Sequence, residues 1–172
     1  MAVGTYSLVT SANLAKLAFQ PKNMFGNKHR ITIDLADLKT IKGSAPAGSD
    51  TYDIHLLNSW THCKVVAMVV TVAVAGGSVS NPTIAVTDQS SNTYLAASSV
   101  SATAGTAYVG TELITQAGSP TFAVSSVSPG VFYTTANAVQ IALGGTWTGA
   151  TAGRVEIIVE VDEFGANSAS YV

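Results

Sequence analysis

The middle of this sequence has very few charged residues. Residues 65–153 contain only two of them, Asp88 and Glu112, among side chains that are mostly Val, Thr, Ala, Ser and Gly. Charged residues normally make up about a quarter of a soluble domain, because they cover its outer surface. This region must instead be covered by hydroxyls and small apolar groups, or by another polypeptide. The composition predicts a β-rich building block that packs among neighbours, and it indicates no reaction.

Cysteines, export signals and long apolar runs are also scarce. Cys63 is the only cysteine, which excludes an internal disulfide and a thiolate metal cluster and suits assembly in a reducing cytoplasm. The N-terminus lacks the cationic start and apolar run of a secretory signal. The apolar run Val65–Ala75 is interrupted by Thr71 and falls far short of the roughly 20 residues that span a bilayer. We therefore expect a soluble protein made in the cytoplasm, with no membrane partner.

The charges that are present are unevenly distributed. Seven of the eight Lys and Arg residues lie in residues 1–64, and the first carboxylate is Asp34. Acidic residues cluster instead at the other end, in Glu156–Glu163. The net charge of −2 gives no general reason to expect an anionic partner. The basic segment also has too little charge and too few interleaved aromatics for nucleic acid, so none is predicted as a partner.

Period-two hydrophobicity predicts strands from Ile31 onward. Ile31–Leu35 alternates as a half-buried strand, and a second strand is predicted at about Thr51–Leu57, with Ile54 and Leu56 on one face. The run Cys63–Ala75 is too apolar to alternate, so it is predicted to be a central strand covered on both faces or bent across two sheets.

The last strand has the clearest alternation. Its predicted inward set is Val155, Ile157, Val159 and Val161, and its predicted outward set is Arg154, Glu156, Ile158, Glu160 and Asp162. Ile158 is the apolar exception on the charged face. It is therefore a candidate contact with a partner.

Gly and Pro turn signals recur at short intervals between these segments, which is typical of a sandwich or barrel. We predict an all-β fold, a β-sandwich or jelly-roll-like barrel of about eight to ten strands, with at most one short helix at Ser11–Phe19. Residues 1–30 are predicted to form an extended N-terminal arm, 31–164 the β-sandwich body, and 165–172 a flexible tail.

No catalytic signature is present. His55, His62 and Cys63 suggest a metal site, but adjacent strand residues point to opposite faces and no second cysteine completes the ligand set. Asp88–Asn92 resembles a calcium loop but lacks the required Gly and Glu, and a hairpin turn explains it better. Cys63 has no evident base to activate it. We predict no enzyme, no metal and no cofactor.

The basic N-terminal segment is the strongest candidate for partner binding. Its cations could dock on an acidic surface of a neighbouring subunit, with apolar side chains as anchors. The predicted contact residues are Lys16, Phe19, Lys22, Met24, Phe25, Lys28, His29 and Arg30. Because the acidic cluster Glu156–Glu163 is on the same chain, an exchange of arms within a homo-oligomer is plausible.

Aromatic residues support an alternative. Trp147, in the Gly-rich connection Gly144–Gly149, and Trp60 could stack against sugars together with Tyr94, Tyr108 and Tyr133. A carbohydrate-binding module would need these rings exposed and coplanar. Core and interface packing is the favoured interpretation, and Trp147 is accordingly named with Ile158 as a possible interface residue.

Three features together resemble virion structural proteins of tailed bacteriophages, in particular capsid decoration (cement) proteins. They are the Ala/Gly/Ser/Thr/Val-rich strands of Val65–Gly153, the loop Gly-Thr-Trp-Thr-Gly-Ala-Thr-Ala-Gly-Arg154 before a final amphipathic strand, and the start MAVGTYSLVTSANLAK. The resemblance implies a β-sandwich or jelly-roll body, a homo-oligomer with a trimer favoured, and a terminal arm that clamps capsid subunits. It also implies a location in the virion.

The resemblance leaves alternatives open. A tail, neck or fibre-base component of the virion has the same character. Pilins of the chaperone-assembled type share this composition, but the single cysteine and the missing signal argue against them.

Overall fold

The computed structural model describes Thr5–Ser7, Lys28–Val109, Phe122–Val124 and Gly130–Glu163. These residues form eleven strands and one helix, so the predicted all-β fold is confirmed. The elements are β1 (Thr5–Ser7), β2 (Lys28–Asp34), α1 (Leu35–Lys42), β3 (Thr51–Leu57), β4 (Thr61–Gly76), β5 (Ser80–Asp88), β6 (Thr93–Ser99), β7 (Ala107–Val109), β8 (Phe122–Val124), β9 (Val131–Tyr133), β10 (Asn137–Thr146) and β11 (Ala150–Glu163).

Two sheets pack face to face as a sandwich. The first sheet has the order β1-β3-β10-β5-β6, and the second has the order β2-β11-β4-β7-β8, with β9 also paired to β4. Most pairs are antiparallel, and β1–β3 and β7–β8 are parallel. The run predicted as a central strand is β4, which lies between β11 and β7.

The core is built from the inward positions of both sheets. Ile31 and Ile33 of β2 are buried, and the predicted inward set of β11 is buried as well, with each side chain at most 7% exposed. Residues opposite one another in an antiparallel pair share a face, so Ile157 meets Ile31 on one side and Met68 on the other. The predicted inward and outward sets of β11 are confirmed.

Helix α1 was not among the sequence predictions, although its signals are present. The side chain of Asp34 caps the N-terminus by accepting a hydrogen bond from the Ala36 amide at 3.0 Å. Gly43 ends the helix with a φ of 75°. Leu35 and Leu38 are buried, and Lys42 Nζ lies 2.5 Å from the buried carboxylate of Asp50.

The predicted helix at Ser11–Phe19 lies outside the described residues. None of the helical structure in the described part of the chain is long and apolar enough to cross a membrane.

Strand β3 has the predicted bounds but not the predicted faces. Val139 pairs with His55 and Gln140 with Asp53, so Ile54 is an extra residue in β3. Such a bulge shifts the alternation that follows it. Ile54 is buried as expected, but Leu56 is 57% exposed. The prediction that Ile54 and Leu56 share a face is therefore wrong.

The body also begins earlier than predicted. β1 (Thr5–Ser7) lies within the predicted arm but pairs with β3 in the first sheet. β2 starts at Lys28 and not at Ile31, so Lys28, His29 and Arg30 belong to the second sheet. The last strand ends at Glu163. The predicted tail, residues 165–172, lies outside the described residues.

Two glycines in the same conformation allow a test of the packing between strands. Gly43 and Gly145 have φ values of 75° and 76°, but a Cβ on Gly43 would meet nothing within 4 Å, whereas one on Gly145 would lie 2.0 Å from the Asn81 carbonyl oxygen. We expect Gly43→Ala to cost about 1–2 kcal/mol from backbone strain alone. Gly145→Ala should cost clearly more, because it adds a steric clash with β5. Urea unfolding of both variants measures the difference, and equal costs would contradict this packing.

Candidate interaction surfaces

The outer face of the second sheet carries a ladder of opposite charges. Glu160 of β11 lies between Lys28 of β2 and Lys64 of β4, with N–O distances of 3.8 and 3.5 Å. Arg30 lies 3.7 Å from Glu156. At the far end, Arg154 donates two hydrogen bonds to one oxygen of Asp34, at 3.1 and 2.8 Å. Glu156 and Glu160 of the acidic cluster are therefore matched by cations of their own chain, and Asp162 lies 3.8 Å from His62 Nδ1.

Three residues that were predicted to lie in the arm are instead part of the second sheet. Lys28 and Arg30 contact Glu160 and Glu156 within the chain, and His29 lies against His55 of the other sheet, with ring centroids 5.1 Å apart. These three residues are strand positions and do not form part of an arm. The other predicted contact residues, Lys16, Phe19, Lys22, Met24 and Phe25, lie outside the described residues.

The outer face of the first sheet is different. Its described residues form short cross-strand rows of small or neutral side chains: Thr51–Ala142–Ala85, Asp53–Gln140–Thr87, and Leu56–Ala138. The one ionisable side chain in these rows is Asp53, which is 9% exposed and accepts a hydrogen bond from Gln140 Nε2 at 2.6 Å. Ala138 and Gln140 are buried as well, at 0% and 7% exposed, so the accessible part of this face consists of Leu56 and half-buried Thr and Ala side chains, with almost no charge to desolvate.

The two predicted interface residues have different outcomes. Trp147 is only 2% exposed, and its Nε1 donates to the Gly144 carbonyl at 2.8 Å, so it is a core residue and presents no surface to a partner. Sequence reasoning took the Gly-rich connection for a display loop, but the bend of that connection turns the indole inward. Ile158 lies half-buried on the outer face of β11, as predicted.

Exposed aromatics occur at a different place. Trp60, in the β3–β4 turn, is 55% exposed and packs edge-to-face with Phe132 of β9, which is 49% exposed. The ring centroids are 6.1 Å apart. Trp60 was identified from the sequence as a candidate stacking residue. Phe132 was missed, because nothing in the local sequence Val-Phe-Tyr indicates which ring points outward.

A buried polar cluster joins the two sheets beneath this turn. Tyr133 of β9 donates to Asp88 of β5 at 2.5 Å, and the Tyr94 and Tyr133 hydroxyls are hydrogen-bonded to each other. Asn92 donates its backbone and side-chain N–H groups to Asp88 at 2.7 and 2.6 Å. The predicted hairpin turn at Asp88–Asn92 is confirmed, and the carboxylate that anchors it is only 2% exposed.

This cluster has a structural role: its buried hydrogen bonds brace one sheet against the other. Burial raises the pKa of the Cys63 thiol to about 12, with the neighbouring Asp88 charge acting in the same direction. Burial also raises the pKa of Tyr94 and of Tyr133, and the hydrogen bond to Asp88 raises the latter further. A thiol held protonated is a poor nucleophile and a poor metal ligand. In the described part of the chain, no three His, Cys, Asp or Glu side chains are grouped to hold a metal ion.

The brace should contribute measurably to stability. Tyr133→Phe removes a donor from a buried carboxylate, so we expect a loss of about 2–3 kcal/mol in the free energy of unfolding. Tyr108→Phe is the matched control, because its hydroxyl donates to the neutral Ser99 carbonyl at 2.6 Å and should cost about 1 kcal/mol. Denaturant unfolding compares them, and an equal or smaller effect for Tyr133→Phe would argue against a stabilising hydrogen bond from Tyr133 to the buried Asp88 carboxyl.

The His29–His55 contact predicts a pH response. Burial lowers the pKa of His55 to about 4, helped by His29 and opposed by Glu163. The unfolded chain binds this proton near pH 6.5 and the folded chain near pH 4, so stability is complete above pH 6.5 and falls between these values as the pH drops.

We expect the wild-type protein to lose roughly 3 kcal/mol more than His55→Gln between pH 6.5 and 4. Thermal or denaturant unfolding across this range decides the point, and identical slopes for His55→Gln and wild type would refute it.

No protein-family model matches the sequence, and no match is found among curated proteins or solved structures. A function must therefore be argued from the surfaces of this chain.

Proposed function

We propose that the chain is a non-enzymatic structural protein of a virion, which binds the capsid surface and stabilises it as a decoration (cement) protein. The observation that carries the proposal is the outer face of the first sheet, where the described strands present small neutral side chains around one well-bonded Asp53. Such a face suits burial against another protein.

Energetics favour this face over the opposite one. Covering the charge ladder of the second sheet would remove water from several ion pairs, a penalty that often exceeds their mutual attraction. Covering alanine, threonine and glycine removes water from apolar carbon and from hydroxyls that can bond again across an interface. We therefore assign the capsid contact to the first sheet and the solvent-facing surface to the second.

A braced sandwich also fits a role in reinforcement. The polar cluster around Asp88 links both sheets, and the capped helix α1 is fixed by the Lys42–Asp50 ion pair. A rigid body loses little conformational entropy on binding, and a symmetric oligomer multiplies a weak contact through avidity. This is the mechanism proposed for stabilising the particle.

The structure bears differently on the two alternative functions, another position in the virion and carbohydrate binding. A tail, neck or fibre-base position in the virion would use the same face, and particle localisation separates these from the capsid. The carbohydrate alternative required exposed, coplanar aromatics. Trp147, Tyr94, Tyr108 and Tyr133 are buried, and the exposed Trp60 meets Phe132 at an interplanar angle of 64°. The predicted sugar platform is therefore not formed by these residues.

A single lysine on the proposed contact face tests the assignment. Ala85→Lys places a charge on that face in the middle of β5, beside the central strand β10, and we expect at least a roughly tenfold loss of binding, since an uncompensated charge within an interface costs more than 1.4 kcal/mol. Ala75→Lys is the matched control, because Ala75 is exposed at the end of β4 in the other sheet. Co-sedimentation with capsids of the encoding virus measures both, and undiminished binding of Ala85→Lys would reject this face.

Deletion of the N-terminal segment tests its predicted role. Because Lys28–Arg30 are part of β2, the deletion should remove residues 1–27, which leaves the charge ladder intact but also takes away the short edge strand β1 of the first sheet. We expect a folded body whose capsid binding, or whose effect on the heat resistance of the particle, is lost. Full binding by the truncated chain would contradict a clamping arm.

A further inference from the structure

We infer that the Trp60–Phe132 pair and the adjacent end of β11 form a docking site for the basic, apolar segment 16–25 of a second copy of this chain. The inference deepens the proposed function and rests on it only for the idea that copies assemble. It concerns contacts between copies, whereas the capsid contact was assigned to the outer face of the first sheet.

The backbone at Trp60 is the first reason. Trp60 has a φ of 60°, in the left-handed region that glycine and asparagine occupy most easily. A bulky side chain there is strained by about 1 kcal/mol or more. The indole is also half exposed, so burial within the chain does not offset this strain. Neither local conformation nor the core explains a tryptophan at this turn, whereas contact with a partner does.

The second reason is the pairing of exposed rings. Phe132 pairs with His62 across β9 and β4, and its ring meets Trp60 edge-to-face. Exposed, preorganised aromatic pairs are typical anchors of protein interfaces, because large rigid rings bury much area at little entropic cost.

The carboxylates at the end of β11 indicate which kind of segment would bind at this site. Glu163 pairs with Thr61, the residue after Trp60, and its carboxylate accepts a hydrogen bond from the neutral amide of Asn58 at 2.9 Å. Asp162 is beside it, with its carboxylate 3.8 Å from His62 Nδ1. The more distant Glu156 and Glu160 already contact Arg30, Lys28 and Lys64. The charge of Glu163 at the end of β11 therefore favours an apolar segment that carries cations.

The chain itself contains such a segment. Residues 16–25 hold Lys16 and Lys22 together with Leu17, Phe19, Met24 and Phe25, and no acidic residue occurs before Asp34. Two copies related by a two-fold axis would each supply one segment and one docking site, which gives a closed and self-complementary contact.

Replacing Trp60 with glycine separates docking from folding. Glycine accepts the φ of 60° without strain, so we expect Trp60→Gly to unfold at the same denaturant concentration as wild type, or a higher one. Self-association, measured by sedimentation equilibrium of the full-length protein without capsids, should weaken by about thirtyfold or more, as for an interface hot spot. Val72→Ser, an exposed apolar residue toward the other end of β4, is the control and should retain association.

Charge exchange tests the occupant and shows whether it comes from a second molecule. We expect the double variant Lys16→Glu/Lys22→Glu and the single variant Glu163→Lys each to associate weakly alone. A mixture of the two should associate more tightly than either, because both of its contacts then join opposite charges, one in the native sense and one reversed, and salt should weaken that complex.

Three results would overturn the inference: a wild-type protein that stays monomeric at all concentrations, a Trp60→Gly variant that associates normally, or a mixture no tighter than its components. None of these measurements uses capsids, so a failure of capsid binding by Ala85→Lys or by wild type is a separate outcome.

Discussion

The antiparallel pairing of β4 with β11 is the constraint on which most of the structure depends. Its register extends from Ala150 opposite Gly76 to Glu163 opposite Thr61, so one pair of long strands runs the length of the second sheet. On the inner side it aligns the apolar residues of the core. On the outer side it sets Glu160 beside Lys64 and brings β2 close enough to complete the ladder. The turn that contains Trp60 lies at the end of this strand pair, next to Thr61 and Glu163.

One outer face of the sandwich is charged and the other is nearly neutral, because the two sheets are built from strands of different composition. All Lys, Arg and Glu residues on the described strands belong to β2, β4 and β11, whose alternating polar positions point outward from the second sheet. The strands of the first sheet alternate apolar residues with Thr, Ala and Gln. The second sheet takes its charges from strand residues outside 65–153, so the shortage of charge shows mainly on the outer face of the first sheet.

Sequence reasoning succeeded where one local signal decides the outcome. Strict alternation predicted the two sides of β11, and Asp and Asn at a turn predicted the Asp88–Asn92 hairpin. It failed where register or a distant contact decides. A single bulge at Ile54 reverses the later positions of β3, and the orientation of Trp147 depends on how its loop bends over the core.

The early start of β2 was missed because Lys28–Arg30 is polar in sequence, and its extended form is fixed by partners about 130 residues away. Asp34 and Gly43 are usable signals for helix α1. The helix was not predicted because it has only eight residues and directly follows a period-two pattern that indicates a strand. The pairing of Trp60 with Phe132 depends on β9 joining β4, a contact between residues about 70 positions apart that no local pattern encodes.

The environment of Cys63 has a practical consequence for labelling. The thiol has no exposed surface, and its pKa of about 12 leaves almost no thiolate at neutral pH. A cysteine introduced on either outer face would thus be the one position in the described body that a maleimide dye or spin label modifies. The native residue can stay in place, and distances between copies in an assembly become measurable without disturbing the interior.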